Sequence, residues 1–380
     1  MHFMVVWLAL CQDPVTFKKQ VLTERYLADG IASGDFNRDG KADIVSGPFW
    51  YEGPDFKVAH EIYPAVDFPL PPNPTNSMFS VVYDFNGDGW PDVLRLGRVH
   101  LHQAVWFENP QGKPGPWKEH AVFERILGES PPFVIHDGAP ALVCHWENRW
   151  GLVTPDKSDP TKPWQFRPIT AEGKYNQFYH GTGWGDIDGD GKPDLILNEG
   201  WWKQGAGLWT PNLFKFGDKG GAQMFAVDVD GDGDQDVITS LDAHGWGLAW
   251  WEQTKPGEFQ KHVLMGDRSE ESTYGVAFSQ PHALAVADLD GDGLPDIIVG
   301  KRRWAHGPKG DIEPDGEPVL YWFRLQRKPE VKFVPYKIDG NSGVGVQLTV
   351  ADVTGDGVPD ILTVSKLGAF LFKTERRGTK

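Results

Sequence analysis

The sequence has few cysteines and almost no long apolar run. Only Cys11 and Cys144 occur among 380 residues, which excludes a framework of several disulfide bonds. Beyond the first twelve residues, no stretch is long and apolar enough to span a membrane as a helix. The chain also lacks a Ser-His-Asp nucleophile signature, a glycine-rich phosphate loop and a dinucleotide fingerprint. These absences disfavour serine-type hydrolases, kinases and dehydrogenases.

Residues 1–12 form the one short apolar run at the start of the chain, MHFMVVWLALCQ. We interpret this run as a candidate signal peptide and its LALC box as a candidate lipoprotein cleavage site. Both interpretations predict a secreted or periplasmic protein. No linker or low-complexity segment interrupts residues 13–380, so we expect them to form a single domain.

Six short acidic loops dominate the rest of the sequence. The loop DLDGDGLPD, for example, begins at Asp288 and has aspartates at positions one, three, five and nine, with Gly293 after position five. Hard cations such as calcium require several oxygen ligands, and glycine permits the sharp bend that brings these ligands together. The pattern therefore predicts calcium sites in loops that are shorter than an EF-hand loop and are flanked by β-type residues.

The candidate calcium ligands occupy positions one, three, five and nine of each loop. They are Asp35, Asn37, Asp39 and Asp43; Asp84, Asn86, Asp88 and Asp92; Asp186, Asp188, Asp190 and Asp194; Asp228, Asp230, Asp232 and Asp236; Asp288, Asp290, Asp292 and Asp296; and Asp352, Asp356 and Asp360. In the last loop Thr354 stands at position three, so we expect this site to be the weakest.

The spacing of the loops predicts a repeat architecture. Their first residues are 49, 102, 42, 60 and 64 positions apart, and the gap of 102 indicates one unit that has lost its loop. We assign that unit to 133–148, where two apolar runs flank Asp137-Gly138, a pair typical of tight hairpins. Seven units of short strands predict an all-β fold, a seven-bladed β-propeller with four-stranded blades. The last unit has only three strands, so we expect residues 16–23 to complete it and to close the ring.

The formal charge of −16 is explained by the loops. Six bound divalent cations would carry twelve positive charges and leave a formal charge of −4. The acidity therefore concerns metal binding within the chain, and we expect no nucleic-acid partner.

A second set of polar residues is expected at the opposite ends of the strands. His180 and His282 each lie six residues before a loop, a distance of about 20 Å at about 3.3 Å per residue. Residues that follow the returning strands lie at the same end. We therefore predict one cluster at the mouth of the central channel, formed by His180, His244, His282, His306, Lys301 and Arg302.

Other residues near the strand ends have different expected roles. Asp29 occupies, in the first unit, the position that histidine occupies before two later loops. His60, His120 and His262 lie on expected outer strands, where we predict a packing role. His100, His102 and His145 hold positions similar to those of the mouth residues in the second and third units. The candidates for stacking on sugar rings near the mouth are Trp184, Trp201, Trp246 and Trp304.

The loops resemble FG-GAP/VCBS repeats, which form propellers in bacterial secreted proteins and in the integrin head. The resemblance covers residues 16–373 and implies the fold more than the function, because such propellers serve in adhesion, scaffolding and catalysis. With its histidine-rich centre the chain also resembles, more loosely, the propeller domain of fungal aldos-2-ulose dehydratase. That enzyme removes water from keto-sugars such as 1,5-anhydrofructose with the help of a metal, and it has a cupin portion that this chain lacks.

The residue types at the predicted mouth suit metal-assisted elimination. Neutral imidazoles favour zinc or another transition metal, whereas the carboxylate loops favour calcium. A metal would polarise a carbonyl and acidify the adjacent C–H, one histidine would take the proton, and a second acid would help a β-oxygen leave. Lys301 or Arg302 would hold the developing enolate charge. We therefore predict a lyase or dehydratase that acts on a keto-sugar or a polysaccharide, with base and acid unassigned.

The alternative is a non-catalytic propeller that binds glycans or proteins through its rim. It predicts histidines that are scattered or engaged in hydrogen bonds, and no central metal. The sequence leaves the substrate, the metal and the oligomeric state open.

The loop pattern generates one test. We expect chelation of calcium to lower the melting temperature, because the carboxylates of each loop then repel one another without a cation. Asp290→Ala should weaken one site, and Thr354→Ala in the last loop is the matched control with a smaller expected effect. Thermal unfolding with and without chelator measures the change in melting temperature, and metal analysis measures the calcium that each variant binds. An unchanged melting temperature and no bound calcium would contradict the prediction.

Overall fold

The structure of the protein, a computed structural model, describes residues 15–70, 75–97, 103–217 and 219–376. The predictions for residues 1–12, His100 and His102 lie outside these residues. Within them nearly all regular structure is β-strand, and the helical content is one 3₁₀ turn at Ser269–Glu271. No helix in this part of the chain has the length and hydropathy that crossing a bilayer requires.

After the initial strand β1, the strands follow one another in six groups of four and a last group of three, which β1 completes. The first strands are β1 (Val15–Thr23), β2 (Ile31–Gly34), β3 (Asp43–Ser46), β4 (Phe49–Tyr51), β5 (Ala59–Glu61), β6 (Phe79–Tyr83), β7 (Asp92–Leu96), β8 (Ala104–Glu108), β9 (Lys118–Phe123), β10 (Phe133–His136), β11 (Ala139–Trp146), β12 (Arg149–Thr154) and β13 (Gln165–Pro168). The remaining strands are β14 (Thr182–Gly185), β15 (Asp194–Leu197), β16 (Gly200–Lys203), β17 (Thr210–Leu213), β18 (Gln223–Val227), β19 (Asp236–Ser240), β20 (Leu248–Lys255), β21 (Glu258–Met265), β22 (Pro281–Ala287), β23 (Asp296–Lys301), β24 (Leu320–Gln326), β25 (Lys332–Asp339), β26 (Leu348–Ala351), β27 (Asp360–Ser365) and β28 (Gly368–Arg376).

These strands form a propeller-like ring of antiparallel four-stranded sheets. Five sheets are separate, with the orders β2-β3-β4-β5, β6-β7-β8-β9, β10-β11-β12-β13, β22-β23-β24-β25 and β1-β28-β27-β26. The strands β14 to β21 form one eight-stranded sheet, in which a short parallel pairing joins β14 to β18 at Thr182 and Gly183. We call each run of four strands a unit. The count of seven units follows from dividing the eight-stranded sheet at this parallel pairing, and it stays an interpretation.

A tight turn connects the first two strands of the third unit, whereas an acidic loop connects them in the other units. In the third unit, which lacks an acidic loop, Asp137 and Gly138 both have positive φ angles, 50° and 73°. Positive φ at both central residues is the requirement of a type I′ turn, and Asp-Gly meets it at little cost. The strands β10 and β11 accordingly pair up to the turn itself, with His136 opposite Ala139. The hairpin predicted from the sequence is therefore present.

The hydrophobic core lies between neighbouring units rather than inside one of them. One buried cluster, for example, joins Ile44 and Tyr51 of the first unit to Leu362 and Leu371 of the last. Another joins Val45 of the first unit to the second unit. Each strand run buries both of its faces in this way, so no unit has a complete core of its own. The described residues therefore form one cooperative ring, with the last unit packed on the first.

Three outer-strand histidines have the packing role that the sequence predicts. His60, His120 and His262 stack on Trp50, Trp106 and Trp250, with ring centroids 4.1, 4.2 and 4.4 Å apart. Each imidazole also lies within hydrogen-bonding distance of a glutamate on the neighbouring strand, at 2.7 to 2.9 Å.

Two glutamines tie the inner strands together across the centre of the ring. Gln347 exchanges two hydrogen bonds with the backbone of Ser80, at 2.9 and 3.0 Å. Gln223 donates to the carbonyl of Val346 at 2.9 Å and accepts from the amide of Leu284 at 3.1 Å. These bonds join strands that do not share a sheet, so they hold the ends of the inner strands in place around the channel.

The ring is closed by the N-terminal strand, as predicted. The strand β1 pairs with β28 over nearly its whole length, from Val15 opposite Arg376 to Thr23 opposite Ala369. Phe17 of this strand packs edge-on against Trp322 of the sixth unit, with ring centroids 6.1 Å apart. The N-terminal strand thus covers an edge of β28 that would otherwise present unpaired backbone groups.

A truncation tests this closure. A chain that begins at Glu24 lacks β1, and we expect it to aggregate or to melt at a lower temperature because the edge of β28 is then open. A chain that begins at Val15 is the matched control and should behave as the full chain does. Size-exclusion chromatography and thermal unfolding compare the two. The closure is wrong if the shorter chain stays monomeric and equally stable.

Candidate functional site

One glutamate and three histidines from four units meet at one end of the channel. Glu129, His180, His244 and His282 each offer a ligand atom, and these atoms all lie within 4.8 Å of one another. We call these four residues the mouth cluster. The shortest separations are 3.2 Å from Glu129 Oε2 to His180 Nε2 and 3.4 Å between the Nε2 atoms of His180 and His282. Glu129 Oε2 lies 3.5 Å from His282 Nε2.

The ends of the inner strands position the histidines. His282 is the second residue of β22, whose other end leads into the loop that starts at Asp288. His180 directly precedes Gly181, whose φ of 81° turns the chain into β14. His244 lies in a turn after β19, where its backbone N–H donates to Asp242 Oδ1 at 3.0 Å. Its ring lies near the other two, with centroids 4.7 Å from His180 and 4.9 Å from His282.

Glu129 is the member of the cluster that the sequence analysis missed. It belongs to the third unit, which has no acidic loop from which its position could be counted. The structure places it through the backbone: Gly128 N–H donates to the carbonyl of Gln177 at 3.1 Å, and Glu129 N–H donates to that of Tyr179 at 2.8 Å. This pairing sets the glutamate beside His180. The available signal was its place four residues before the inner strand β10, similar to the places of Asp29 and His180, which are each two residues before β2 and β14.

The spacing of three cluster atoms fits a tetrahedral metal site. Two ligands at about 2.0 to 2.1 Å from a zinc ion, separated by the tetrahedral angle, lie about 3.3 Å apart. The three separations among Glu129, His180 and His282 are 3.2, 3.4 and 3.5 Å. One observation opposes the fit: Arg302 Nη1 lies 2.8 Å from His282 Nε2 and uses the lone pair that a metal would need. The residues fit a metal only if this hydrogen bond is released.

The ionisation states of the cluster also suit a cation. Burial, and then the charge of Arg302, lower the pKa of His282 to about 3, so this imidazole is neutral at pH 7. Burial likewise lowers the pKa of His244. Burial works against ionisation of Glu129, but its hydrogen bonds to His180 and His282 hold the pKa of Glu129 well below its ordinary value. The cluster thus offers neutral imidazoles at His244 and His282 and one carboxylate at Glu129, as metal ligation requires.

A buried network of charges lies behind the cluster. Arg302 Nη2 is 3.8 Å from Asp29 Oδ1. Asp29 is 1% exposed, and its Oδ2 accepts hydrogen bonds from Tyr26 at 2.8 Å and from the Thr75 hydroxyl at 3.0 Å. Lys366 donates to the Tyr26 hydroxyl at 3.2 Å, and burial lowers the pKa of Lys366 to about 8. The network continues the polar mouth into the first and last units.

A cavity of about 620 Å³ opens beside the cluster. Its wall includes Glu129, His180 and His244 of the cluster together with Tyr179 and Glu199, whose side chains are hydrogen-bonded to each other. His282 lies behind this wall, with a side-chain exposure of 0%. A molecule in the cavity would contact three members of the cluster directly.

The remaining predicted mouth residues are placed differently. His306 is half exposed on a loop, with its ring centroid 4.5 Å from that of His244 and its Nδ1 3.3 Å from Asp311 Oδ1. Lys301 is buried and donates to the hydroxyl and carbonyl of Ser279, and no contact among the described residues joins it to the mouth cluster. Its position does not support the role of holding an enolate.

The described residues that line the cavity include none of the four tryptophans expected at the mouth. Trp201 is buried in the core between the fourth and fifth units. Trp184 packs against Trp209 at 5.2 Å, and Trp304 donates to the carbonyl of Pro314 at 2.9 Å. The expected stacking on sugar rings therefore has no support at these positions.

The acidic loops share one internal hydrogen-bond arrangement. The ninth-position aspartate is buried, and its two oxygens accept backbone N–H groups from the loop and from the end of the third strand of the unit. Asp236, for example, accepts from Val229 at 3.0 Å and from Gln253 at 2.7 Å. The same two bonds occur at Asp43, Asp92, Asp194, Asp296 and Asp360. Sequence analysis named these residues only as ligands.

Three of the loops gather their carboxylates tightly. The groups within 4.8 Å of one another are Asp186, Asp188 and Asp194; Asp228, Asp230 and Asp232; and Asp288, Asp290 and Asp296. Burial raises the pKa of Asp296 to about 7 and that of Asp194 to about 6, which shows that the ionised forms lack full compensation. Basic side chains compensate part of this negative charge, because Lys203 pairs with Asp188 and Arg324 pairs with Asp290. This chemistry fits a hard cation in the loops.

Comparison with known proteins supports the fold. The family model of the FG-GAP-like repeat matches residues 228–299, and no curated protein matches the chain. The structure is similar to that of BBS1N, crystallised in complex with ARL6DN, at 10% sequence identity and a TM-score of 0.53, covering 97% of this chain and 98% of that one. The chain therefore contains an FG-GAP-like repeat and has a β-propeller arrangement of four-stranded sheets.

Two further solved structures are similar to this one with lower TM-scores. The exotype rhamnogalacturonan lyase YesX has 14% identity and a TM-score of 0.45, with 95% of this chain and 76% of that chain covered. The biofilm matrix protein Bap1 of V. cholerae has 17% identity and a TM-score of 0.36. That match covers 72% of this chain, which spans 40% of the length of the Bap1 structure.

Proposed function

We propose that the protein is a metal-dependent carbon–oxygen lyase of the sugar dehydratase type, acting on a keto-sugar or another carbohydrate in the mouth cavity. The observation that carries this proposal is the spacing of Glu129, His180 and His282, which matches that of tetrahedral metal ligands beside an open cavity. The resemblance of the repeats and of the histidine-rich centre to aldos-2-ulose dehydratase agrees with it. Calcium in the acidic loops, and export from the cytoplasm, belong to the same proposal.

The residues of the cavity wall have distinct roles in this scheme. Glu129, His180 and His282 would hold a transition metal such as zinc, and such a metal would polarise a carbonyl of the bound sugar. His244 lines the cavity, and burial lowers the pKa of its imidazole, which is therefore neutral and able to accept a proton. This imidazole accepts the proton when the C–H bond next to the carbonyl breaks. His306, at the exposed side of the cavity, returns a proton to the oxygen that leaves when the β C–O bond breaks.

A non-catalytic binding propeller is the second candidate, and one observation favours it. His282 Nε2 accepts a hydrogen bond from Arg302, and Glu129 pairs with His180, which is the engaged arrangement that a purely structural mouth would have. Under this alternative the mouth cluster is a neutral polar network that holds four units together. Metal binding separates the two candidates.

The first test measures metal content. We expect chelator-treated protein, resupplied with calcium and zinc, to retain one zinc ion per chain in addition to calcium. Loss of a second-shell partner already costs about 10- to 100-fold in metal affinity, so Glu129→Gln and His180→Ala should each cost at least that much. His262→Ala, which removes a stacked imidazole from an outer strand, is the matched control and should keep the zinc. Equal zinc retention in all four proteins, or none in any, would favour the binding propeller.

The second test measures elimination. We expect the zinc-loaded protein to convert 1,5-anhydrofructose to an unsaturated product, followed by its ultraviolet absorbance. His244→Ala should lower kcat by about 10²- to 10⁴-fold, the usual contribution of a general base, while zinc stays bound. His60→Ala serves as the control for removal of a distant imidazole. The assignment of the base is wrong if His244→Ala keeps both its zinc and its full rate.

A further inference from the structure

Arg302 is the residue whose present position prevents His282 from binding a metal. Its Nη1 lies 2.8 Å from His282 Nε2 and 3.8 Å from Glu129 Oε2, so the guanidinium is close to two of the candidate metal ligands. An imidazole nitrogen has one lone pair, so His282 Nε2 accepts from the guanidinium or binds a metal, but not both at once. A dication at the cluster would also repel the guanidinium at this distance. The arginine side chain must therefore have a second position.

The backbone of Arg302 is not free to provide that movement. Its N–H donates to the carbonyl of Gln280 at 2.9 Å, and the residue forms a parallel bridge with Val344. The side chain is less constrained, because its buried Nε has no hydrogen-bond partner among the described residues. A rotation of the guanidinium would therefore break no hydrogen bond at Nε.

Asp29 is the acceptor on the other side of the guanidinium. Its Oδ1 lies 3.8 Å from Arg302 Nη2, so a shift of about 1 Å forms a charge-assisted hydrogen bond of ordinary length. Asp29 itself is held, because its Oδ2 accepts from Tyr26, from the Thr75 hydroxyl and from the Thr75 N–H at 2.8, 3.0 and 3.1 Å. Burial works against its ionisation, but the charges of Lys366 and Arg302 lower the pKa of Asp29, which keeps it a carboxylate.

From this geometry we infer that Asp29 is a positioning residue that draws Arg302 away from His282 and so frees His282 Nε2 for the metal. The inference rests on the proposed function, since it concerns the same metal site. It assigns to Arg302 the role of a competitor for His282 Nε2, in place of the purely catalytic role expected from the sequence. It also gives the buried network of Asp29, Tyr26 and Lys366 a purpose beyond holding the ring together.

Cobalt binding tests the inference directly. Co²⁺ is added to chelator-treated protein in the presence of calcium, and its visible absorption bands report both the affinity and the ligand set. We expect Arg302→Met to bind Co²⁺ about tenfold more tightly than wild type, because the competitor for His282 is gone. Asp29→Asn should bind about tenfold more weakly, as loss of an outer-shell partner does.

The double variant separates positioning from simple charge. If Asp29 acts through Arg302, Asp29→Asn has no effect on affinity in the Arg302→Met background. If Asp29 acted only through its own negative charge, it would weaken binding equally in both backgrounds, and the inference would be overturned. If Asp29→Asn does not fold, the Arg302→Met variant by itself tests the inference. A Co²⁺ affinity of Arg302→Met that is equal to or weaker than that of wild type overturns the inference.

The wild-type result keeps this inference distinct from the proposed function. Cobalt binding by wild type with no gain in Arg302→Met leaves the proposed function standing and removes the inference. Cobalt binding by Arg302→Met but not by wild type removes the proposed function and also overturns the inference, because Asp29 then fails to draw Arg302 away from His282. Binding by neither protein overturns both.

Discussion

A buried aspartate that accepts two backbone N–H groups is the interaction on which the order of the ring depends. In six units the ninth-position carboxylate joins its own loop to the end of the third strand, as Asp236 joins Val229 to Gln253. A buried carboxylate without such partners would be costly, and with them it ties three strands of the unit at one end. In these six units the first strand is therefore fixed relative to the second and third strands at that end.

The mouth cluster is the consequence of that order at the opposite end of the strands. His180, His244 and His282 belong to three successive units, and Glu129 comes from a fourth, so no unit contains the site. The glutamines Gln223 and Gln347 add hydrogen bonds between inner strands that share no sheet. Because the core lies between units, a displacement of one unit would separate the ligands as well as open an apolar interface.

The charges at the mouth balance one another without a metal. Glu129 and Asp29 carry negative charges, Arg302 and Lys366 carry positive charges, and the imidazoles of His244 and His282 are neutral at pH 7. A divalent cation would add two positive charges to this buried set. The occupied site would therefore favour a bound anion, such as the enolate that forms when a sugar loses a proton next to its carbonyl. Because a bound divalent cation would repel the Arg302 guanidinium, the position of Arg302 affects metal binding.

Sequence alone determined the features that repeat. The spacing of the loops predicted the four-stranded units, Asp137-Gly138 predicted the hairpin of the unit without a loop, and the missing fourth strand predicted closure by residues 16–23. The offset from the loops also predicted that His180 and His282 approach each other. Only the tertiary structure decided what does not repeat. Glu129 lies in the unit that has no loop to count from, Lys301 turns to Ser279, and Trp201 packs between units. These outcomes depend on contacts between residues far apart in the chain, where local pattern carries no information about direction or neighbours.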